Sequence, residues 1–274
     1  MDSSAAVLAY PKLEIPMKTN TNWWEPNNLQ KIESQERRQL SELPAEQILL
    51  QGTGDFHLYS YFNRSGEPDW GKSNLHGVGQ DTAPLFAQSL LWHIGAAPRT
   101  LLDVGCGLGL TTEALRKVTG ADCSGLEMSQ DAIDFAKRTF NKCHFETGVV
   151  SSSYKFTRAY DWIVAREFYP FSRAQNFESM FPYVEVLLRG LNPYGRLIIV
   201  NDFGLKKSTP PLNRFIGQLR RRLSKTDFKV EQFCGFRPKI QRLLGTNWMS
   251  YWISIGLLRY RESGELVLVI QKKS

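Results

Sequence analysis

The stretch from Thr100 to Gly109 constrains the fold of this chain more than any other part of its sequence. Apolar residues at 101, 102 and 104 indicate a short buried strand, which ends abruptly at Gly105. Glycines at 105, 107 and 109 let the backbone turn tightly and approach a ligand without a Cβ in the way. Helical periodicity follows from Leu110 to Lys117. The stretch therefore predicts a strand, a glycine-rich turn and a helix, with a nucleotide site beyond the carboxyl end of the strand.

The chemistry of this turn differs from that of a dinucleotide-binding turn. Its glycine spacing is G-x-G-x-G, and Asp103 at the strand end would repel a pyrophosphate but attract an ammonium group. The segment Leu102-Asp103-Val104-Gly105-Cys106-Gly107 resembles the first motif of Rossmann-like, class I, S-adenosylmethionine-dependent methyltransferases. The resemblance implies an enzyme that uses S-adenosyl-L-methionine as its cofactor. It also implies an α/β fold with a doubly wound, mostly parallel seven-stranded sheet whose last strand is antiparallel.

Periodicity places the remaining strands in an order that fits this fold. After the first strand we expect strands at Asp122–Glu127, Tyr160–Ala165, Arg196–Asp202, Asp227–Phe233 and Leu266–Ile270, and the third strand together with its exit at Cys143–Val150. Residues 1–80 read as an N-terminal helical and loop extension whose last part forms a flap over the active site, and residues 81–274 as the methyltransferase domain. Within that domain, residues 205–262 read as a basic, lid-like insertion. Its aromatic residues either hold a planar or sugar-like acceptor or pack the lid onto the sheet.

The resemblance assigns a set of cofactor-binding residues at the strand ends. Glu127 ends the second strand 18 residues after Gly109, where a carboxylate can accept hydrogen bonds from both ribose hydroxyls. Met128 follows where similar enzymes place an apolar residue against adenine. Val149 stands where the family often has an aspartate, so backbone groups or Ser151 would have to recognise adenine. The expected cofactor-binding residues are Asp103, Gly105, Cys106, Gly107, Gly109, Glu127, Met128, Val149 and Arg166.

The acceptor side is less clearly marked. Methyltransferases of this fold place acceptor-side chemistry at the exit of the fourth strand, where this sequence reads Arg166-Glu167-Phe168-Tyr169. Glu167 is a candidate general base if burial raises its pKa, or a carboxylate paired with Arg166. The expected catalytic residues are Glu167 and His76, and the expected acceptor-binding residues are Tyr61, Arg64, Tyr169 and Asp202. The sequence lacks the Asn/Asp-Pro-Pro-aromatic motif of amino-methylating nucleic-acid enzymes and the Pro-Cys motif of cytosine-C5 enzymes at this exit.

The charge distribution and the cysteines limit which kinds of partner and metal site this chain can have. Residues 205–242 hold eleven Lys or Arg and two acids, which gives this segment a net charge of +9. The whole chain has a net charge of +7, so the rest of the chain carries −2. This charge is either a solvated helix face or a surface for an anionic substrate, a nucleic acid or an acidic lipid surface. The four cysteines form no metal-ligand spacing, so we expect no metal. The beginning of the sequence has no secretory signal and no stretch is long and apolar enough to cross a membrane, so we expect a cytoplasmic protein; its oligomeric state is open.

Three functions fit these observations. The first is transfer of a methyl group to an oxygen or nitrogen of a small molecule, either anionic or glycosylated. The second is RNA methylation with the basic third of the chain as the RNA contact. The third is a cofactor-binding protein that acts as a partner subunit without catalysis. We favour the first because the sequence has no recognisable RNA-binding module.

Overall fold

The computed structural model describes residues 82–273, with gaps at 129, 152–153, 173–175, 203–211 and 260–264. The predicted extension and flap, residues 1–80, lie outside the described residues. The described chain is an alternation of helices and strands: α1 (Ala83–Ile94), β1 (Thr100–Val104), α2 (Leu110–Thr119), β2 (Asp122–Glu127), α3 (Gln130–Thr139), β3 (His144–Thr147), β4 (Tyr160–Arg166), α4 (Tyr169–Ser172), α5 (Phe177–Arg189), β5 (Leu191–Asp202), α6 (Leu212–Leu223), β6 (Phe228–Phe236), α7 (Pro238–Leu244), α8 (Trp248–Arg259) and β7 (Glu265–Lys272).

The strands form one seven-stranded sheet in the order β3-β2-β1-β4-β5-β7-β6. Strands β1 to β5 pair in parallel, whereas β7 runs antiparallel to both β5 and β6. The predicted α/β fold, with its mostly parallel sheet and antiparallel last strand, is confirmed. The chain order reverses between β1 and β4, which places the crevice at their carboxyl ends at a topological switch point.

The core is built on the central strands, which are buried on both faces. Four consecutive residues of β5, Leu197–Val200, are fully buried, as expected for a strand covered by helices on both sides. One cluster joins α1, α2 and α3 to this sheet through residues such as Phe86, Leu115 and Ile133. Helices α5 and α6 pack against each other and against β5 and β6, respectively.

Two predicted boundaries near the acceptor side are wrong. The residues Asn-Pro-Tyr-Gly at 192–195 predict a turn that leads into a fifth strand starting at Arg196. In the structure they lie inside β5, which begins at Leu191 and carries a register shift opposite Tyr160 and Trp162. Tyr194 in this bulge has a φ of 61°, and a Cβ at Gly195 would lie 2.8 Å from the carbonyl oxygen of Asn192. The local turn signal is real, but pairing with β4 resumes on both sides of it. The sixth strand also continues past the predicted end, to Phe236.

The connection between β6 and β7 contains two helices. Helix α7 packs against α1 and α8, and α8 packs against β6. Residues 205–262 thus include a sheet strand, β6, and a core helix, α6, together with the α7–α8 pair. None of the described helices is long and apolar enough to cross a membrane.

Candidate functional site

The glycine turn after β1 requires glycine for two physical reasons. Gly105, Gly107 and Gly109 have φ angles of 73°, 52° and 79°, a region that L side chains rarely adopt. Space is short as well, because a Cβ at Gly109 would lie 2.8 Å from Cε1 of Phe145. A Cβ at Gly105 would lie 3.3 Å from Cδ2 of Phe168. The predicted turn therefore exists, and at Gly109 the Phe145 ring leaves no room for a Cβ.

Backbone hydrogen bonds attach this turn to the neighbouring strand. The carbonyl oxygen of Leu126 accepts hydrogen bonds from the N–H groups of Gly105, at 2.8 Å, and Cys106, at 3.2 Å. The N–H of Gly109 donates to the carbonyl oxygen of Cys106, and α2 begins one residue later. Cys106 is buried, and burial raises the pKa of its thiol well above the ordinary value, so the thiol stays protonated. The turn is thus held in one shape before any ligand binds.

Glu127, at the end of β2, lies across the glycine turn. Its Oε2 accepts a hydrogen bond from the N–H of Gly107 at 3.0 Å, and its Oε1 accepts one from the N–H of Met128 at 2.7 Å. Two carboxylate oxygens offer about four acceptor positions, so both can accept further hydrogen bonds from hydroxyl groups. The carboxylate is therefore fixed at the place where the sequence predicts a ribose-binding group.

Asp103 supplies a buried negative charge beneath the turn. It is 2% exposed, and its Oδ2 accepts a hydrogen bond from the hydroxyl of Thr112 at 2.7 Å. Burial raises the pKa of Asp103 to about 6, although this hydrogen bond and the positive charge of Arg166 oppose the change. A carboxylate that is poorly solvated in this way would be stabilised by a cationic ligand close by.

Arg166, at the end of β4, is buried between the sheet and α1. Its Nη2 donates to Oε1 of Glu265 at the start of β7, and its guanidinium lies 4.3 Å from the ring centroid of Phe86. Its Nε and Nη1 have no hydrogen-bond partner among the described residues. The guanidinium therefore joins β4, β7 and α1, and its acidic partner in this structure is Glu265. Its predicted contact with the cofactor stays a prediction.

The exit of β4 brings the predicted acceptor side to the glycine turn. Glu167 has a φ of 49°, which is uncommon for a residue with a side chain and costs about 1–3 kcal/mol. Its N–H donates to the carbonyl oxygen of Val200 in β5 at 2.7 Å, and its side chain is exposed. The next residue, Phe168, is the one that a Cβ at Gly105 would approach at 3.3 Å. Glu167 thus lies at the same edge of the sheet as the glycine turn, because β4 is the neighbour of β1 and lies between β1 and β5.

The predicted adenine side lies at the ends of β2 and β3. These strands pair so that Glu127 is opposite Thr147, and the N–H of Gly148 donates to the carbonyl oxygen of Glu127 at 2.9 Å. Met128 is half-buried, and Val149 is 38% exposed. An apolar, accessible pair of residues at adjacent strand ends suits the flat face of a base.

The comparison with family models decides the family. A model described as the methyltransferase small domain matches residues 81–232, more than half of the chain. This chain belongs to that family. The match covers the sheet from β1 to β5 and every described residue of the site except Glu265. The predicted recognition as a class I methyltransferase and the predicted enzyme class are confirmed.

One curated relative of this chain is also named as a methyltransferase. It is 40% identical over 78 residues to the ubiquinone biosynthesis O-methyltransferase of Methylococcus capsulatus, an alignment that covers 28% of this chain and 31% of that protein. The chain therefore matches about a third of the length of that relative.

Solved structures show the same fold. The plantazolicin methyltransferase BpumL, in complex with a monoazolic desmethylPZN analog and SAH (S-adenosylhomocysteine), has a TM-score of 0.54 and 18% identity, covering 89% of this chain and 100% of that one. The plantazolicin methyltransferase BamL, with a triazolic analog and SAH, also has a TM-score of 0.54, at 14% identity, covering 91% of this chain and 100% of that one. The predicted cofactor, S-adenosyl-L-methionine, agrees with the SAH in these neighbours.

Three predicted site residues of the methyltransferase cannot be placed in the fold. Tyr61, Arg64 and His76 fall outside the described residues. Tyr169 begins α4 and Asp202 ends β5, which places both backbones at the carboxyl edge of the sheet. Their roles, like those of all the predicted site residues, stay predictions.

Sequence reasoning missed three residues that shape the site. Thr112 is one turn into α2, and a threonine on the inward face of a helix after the glycine turn was a usable signal for a partner of Asp103. Phe168 was read only as part of the exit of the fourth strand. Glu265 gives no local signal, because its contact with Arg166 depends on the antiparallel register of β7.

Proposed function

We propose that this methyltransferase transfers a methyl group from S-adenosyl-L-methionine to an oxygen or nitrogen atom of a small-molecule acceptor that lies beside Glu167. The observation that carries this proposal is the approach of the β4 exit to the glycine turn, where Phe168 lies next to Gly105. That approach brings the backbone of the β4 exit, which carries the exposed Glu167, close to the expected binding site of the cofactor. The acceptor class goes beyond what the family match establishes.

The described residues fit the cofactor. The open side of Gly105 and Gly107 leaves room for a ligand close to the backbone, and Glu127 has acceptor capacity for ribose hydroxyls. Asp103 provides a buried negative charge that favours a cationic amino-acid end. Met128 and Val149 offer apolar surface to adenine. Each part of the cofactor therefore has a group of matching chemistry on this edge of the sheet.

The remaining task of the protein is alignment. The sulfonium of the cofactor supplies a methyl group that is already activated for transfer. Holding the acceptor atom in line with the carbon–sulfur bond is worth about 7–11 kcal/mol in well-oriented cases. In this proposal the bound cofactor and acceptor cover the side chain of Glu167, which is exposed in this structure, and its carboxylate accepts the proton that a hydroxyl or amine must lose, a role typically worth about 10²–10⁴ in rate. The hydrogen bond from its N–H to Val200 fixes the backbone of Glu167 at the end of β4.

The comparisons support a small acceptor without defining it. One relative is named as an O-methyltransferase of ubiquinone biosynthesis, and the solved neighbours are methyltransferases of plantazolicin. The alternative acceptor is RNA, and one observation favours it. Arg220, Arg221 and Arg222 are consecutive exposed cations at the end of α6, suited to phosphate groups.

A transfer assay with a matched pair of variants tests the proposal. The full chain is incubated with methyl-labelled cofactor and either a panel of phenols and amines or total RNA. We expect label on a small molecule, with Glu167→Gln lowering kcat by about 10²-fold or more while the affinity for S-adenosylhomocysteine is unchanged. Glu178→Gln, at an exposed acid on α5, is the control and should keep full activity. Label on RNA alone would replace the small-molecule proposal, and full activity of Glu167→Gln would remove its role as a base.

The predicted cytoplasmic location also stays a proposal.

Transfer to no acceptor by the wild-type chain, despite cofactor binding, would favour the third function, a cofactor-binding partner subunit.

A further inference from the structure

Residues 248–254, the first two turns of helix α8, have their serines inside and their tryptophans outside. Ser250 and Ser254 are 1% and 0% exposed, whereas Trp248 and Trp252 are 67% and 61% exposed. A helix on the surface of a globular protein normally shows the opposite arrangement. The sequence of this helix has no charged residue before Arg259. An outward apolar face of this kind indicates a surface that is covered when the protein works.

The exposed face of α8 continues onto two neighbouring helices. Trp92 of α1 has its ring 6.2 Å from that of Tyr251, which is 5.6 Å from the ring of Trp252. Among the described residues, eight large apolar side chains are exposed, and six of them belong to these three helices. We call these six the tryptophan surface: Trp92, Leu243, Trp248, Met249, Trp252 and Ile253.

Local contacts fix the rotation of α8 about its axis. The N–H of Ser250 donates to Oδ1 of Asn247 at 2.9 Å, and the N–H of Asn247 donates to Oγ of Ser250 at 3.1 Å. These reciprocal hydrogen bonds at the start of the helix hold Ser250 on the inner side. Tyr251 also packs edge-on against His93 of α1, with ring centroids 4.7 Å apart. The tryptophans therefore face outward because the helix is held in this orientation.

The tryptophan surface is built from segments whose charged residues are all basic. The segments that build it, residues 82–99 and 237–259, contain no Asp or Glu. Lys239 and Arg242 are exposed on α7, directly before Leu243. A second copy of the chain would bring the same cations against these ones, which disfavours pairing of this face with itself. The apolar face with its cations is complementary to an apolar partner that carries negative charge.

We propose that the tryptophan surface binds the surface of an anionic lipid bilayer. Tryptophan side chains are favoured at the level of lipid headgroups because their rings are apolar with one polar N–H group. Lys239 and Arg242 lie where they can contact the anionic headgroups. At 12 residues α8 is too short to span a bilayer, which takes about 20, so it lies along the interface. The proposal does not depend on which acceptor is methylated.

Co-sedimentation with lipid vesicles tests the proposal on the full chain. The wild-type protein should sediment with vesicles of phosphatidylcholine and phosphatidylglycerol, and more weakly as the salt concentration rises or when phosphatidylglycerol is left out. The double variant Trp248→Ser/Trp252→Ser should bind at least about tenfold more weakly, and Lys239→Glu/Arg242→Glu should lose the preference for anionic vesicles. Tyr194→Ser removes an exposed aromatic residue elsewhere and should bind as the wild type does.

Folding and self-association are checked on the same samples. Both variants change exposed side chains, so circular dichroism and affinity for S-adenosylhomocysteine should match the wild type. Absence of wild-type binding to anionic vesicles, or equal binding by the tryptophan double variant, would overturn the proposal. A concentration-dependent dimer in analytical ultracentrifugation that disappears in this double variant would overturn it as well, because the surface would then be a subunit interface.

Discussion

The surroundings of the glycine turn, on the cofactor half of the sheet, leave less room for a side chain than helix α6 does on the acceptor half. On the cofactor half, formed by β1, β2 and β3, a Cβ at Gly125 would lie 2.6 Å from Phe145 and 2.7 Å from the sulfur of Cys106. On the acceptor half, formed by β4 to β7, a Cβ at Gly217 in α6 would meet nothing within 4 Å. In the cofactor half, side chains pack tightly against the glycine turn and the strand beside it. The other half carries a strained Glu167, a bulged β5 and an outward-facing α8, the features in which an acceptor preference can be built.

The largest expected difference between the halves concerns glycine replacement. Gly109→Ala forces a side chain into a φ of 79° and towards the Phe145 ring at 2.8 Å, so we expect a loss of about 2–4 kcal/mol in the free energy of unfolding. The matched control is Gly217→Ala, which should stabilise α6 by about 0.5–1 kcal/mol. Urea denaturation of both variants measures the contrast. Similar changes in the free energy of unfolding of the two variants would contradict the difference in available space between the glycine turn and α6.

Cofactor affinity should depend on the carboxylate of Glu127. Glu127→Gln removes the negative charge and leaves an NH₂ group where an acceptor faces the ribose hydroxyls, so we expect affinity for S-adenosylhomocysteine to fall about tenfold to hundredfold. Glu146→Gln, at an exposed acid on the adjacent strand β3, is the control and should bind normally. Titration calorimetry gives both dissociation constants. Equal affinities would exclude Glu127 from the ribose site.

The buried carboxylate of Asp103 should cost stability at neutral pH when no cofactor is bound. Its pKa of about 6 in the folded state exceeds its ordinary value, so its contribution is most favourable below pH 4 and is lost as the pH rises through 6. Asp103→Asn can keep the hydrogen bond from Thr112 and should raise the free energy of unfolding by about 2 kcal/mol at pH 7.5. The gain should vanish at pH 4. A gain that is equal at both pH values would contradict this origin.

The same variant should weaken the cofactor site. Without the negative charge, the affinity of Asp103→Asn for S-adenosylhomocysteine should fall while the apo protein becomes more stable. Thermal unfolding with and without the ligand separates the two effects. A variant that gains stability without losing affinity would show that Asp103 serves the fold alone.

The smallest expected effect concerns His93, where α1 meets α8. Burial beside Tyr251 lowers the pKa of His93 to about 4, so the folded state resists a proton that the unfolded chain accepts below about pH 6.5. Stability is therefore lost as the pH falls from 6.5 towards 4. His93→Gln should make the urea midpoint less sensitive over this range. An unchanged pH dependence would contradict protonation of His93 as a cause of acid sensitivity.

The sequence predicted the cofactor half better than the acceptor half, and the reason is physical. The glycine turn and the strand β2 up to Glu127 are encoded within about 30 adjacent residues, so local pattern was sufficient. The partner of Arg166 comes from Glu265, 99 residues away along the chain, through a register that no local signal encodes. The turn signal at 192–195 was overridden by pairing with β4, and the outward orientation of α8 depends on the cap formed by Asn247 and Ser250.

The most direct test of the central claim is the binding of S-adenosylhomocysteine to Gly105→Arg, measured by calorimetry on protein whose circular dichroism matches the wild type. Gly105 has a φ of 73°, and its Cβ would point at Phe168, so a long side chain here would occupy the space between the glycine turn and the β4 exit. We predict saturable binding to the wild-type chain and none to the variant. Unchanged affinity in a folded Gly105→Arg protein would show that the cofactor binds elsewhere.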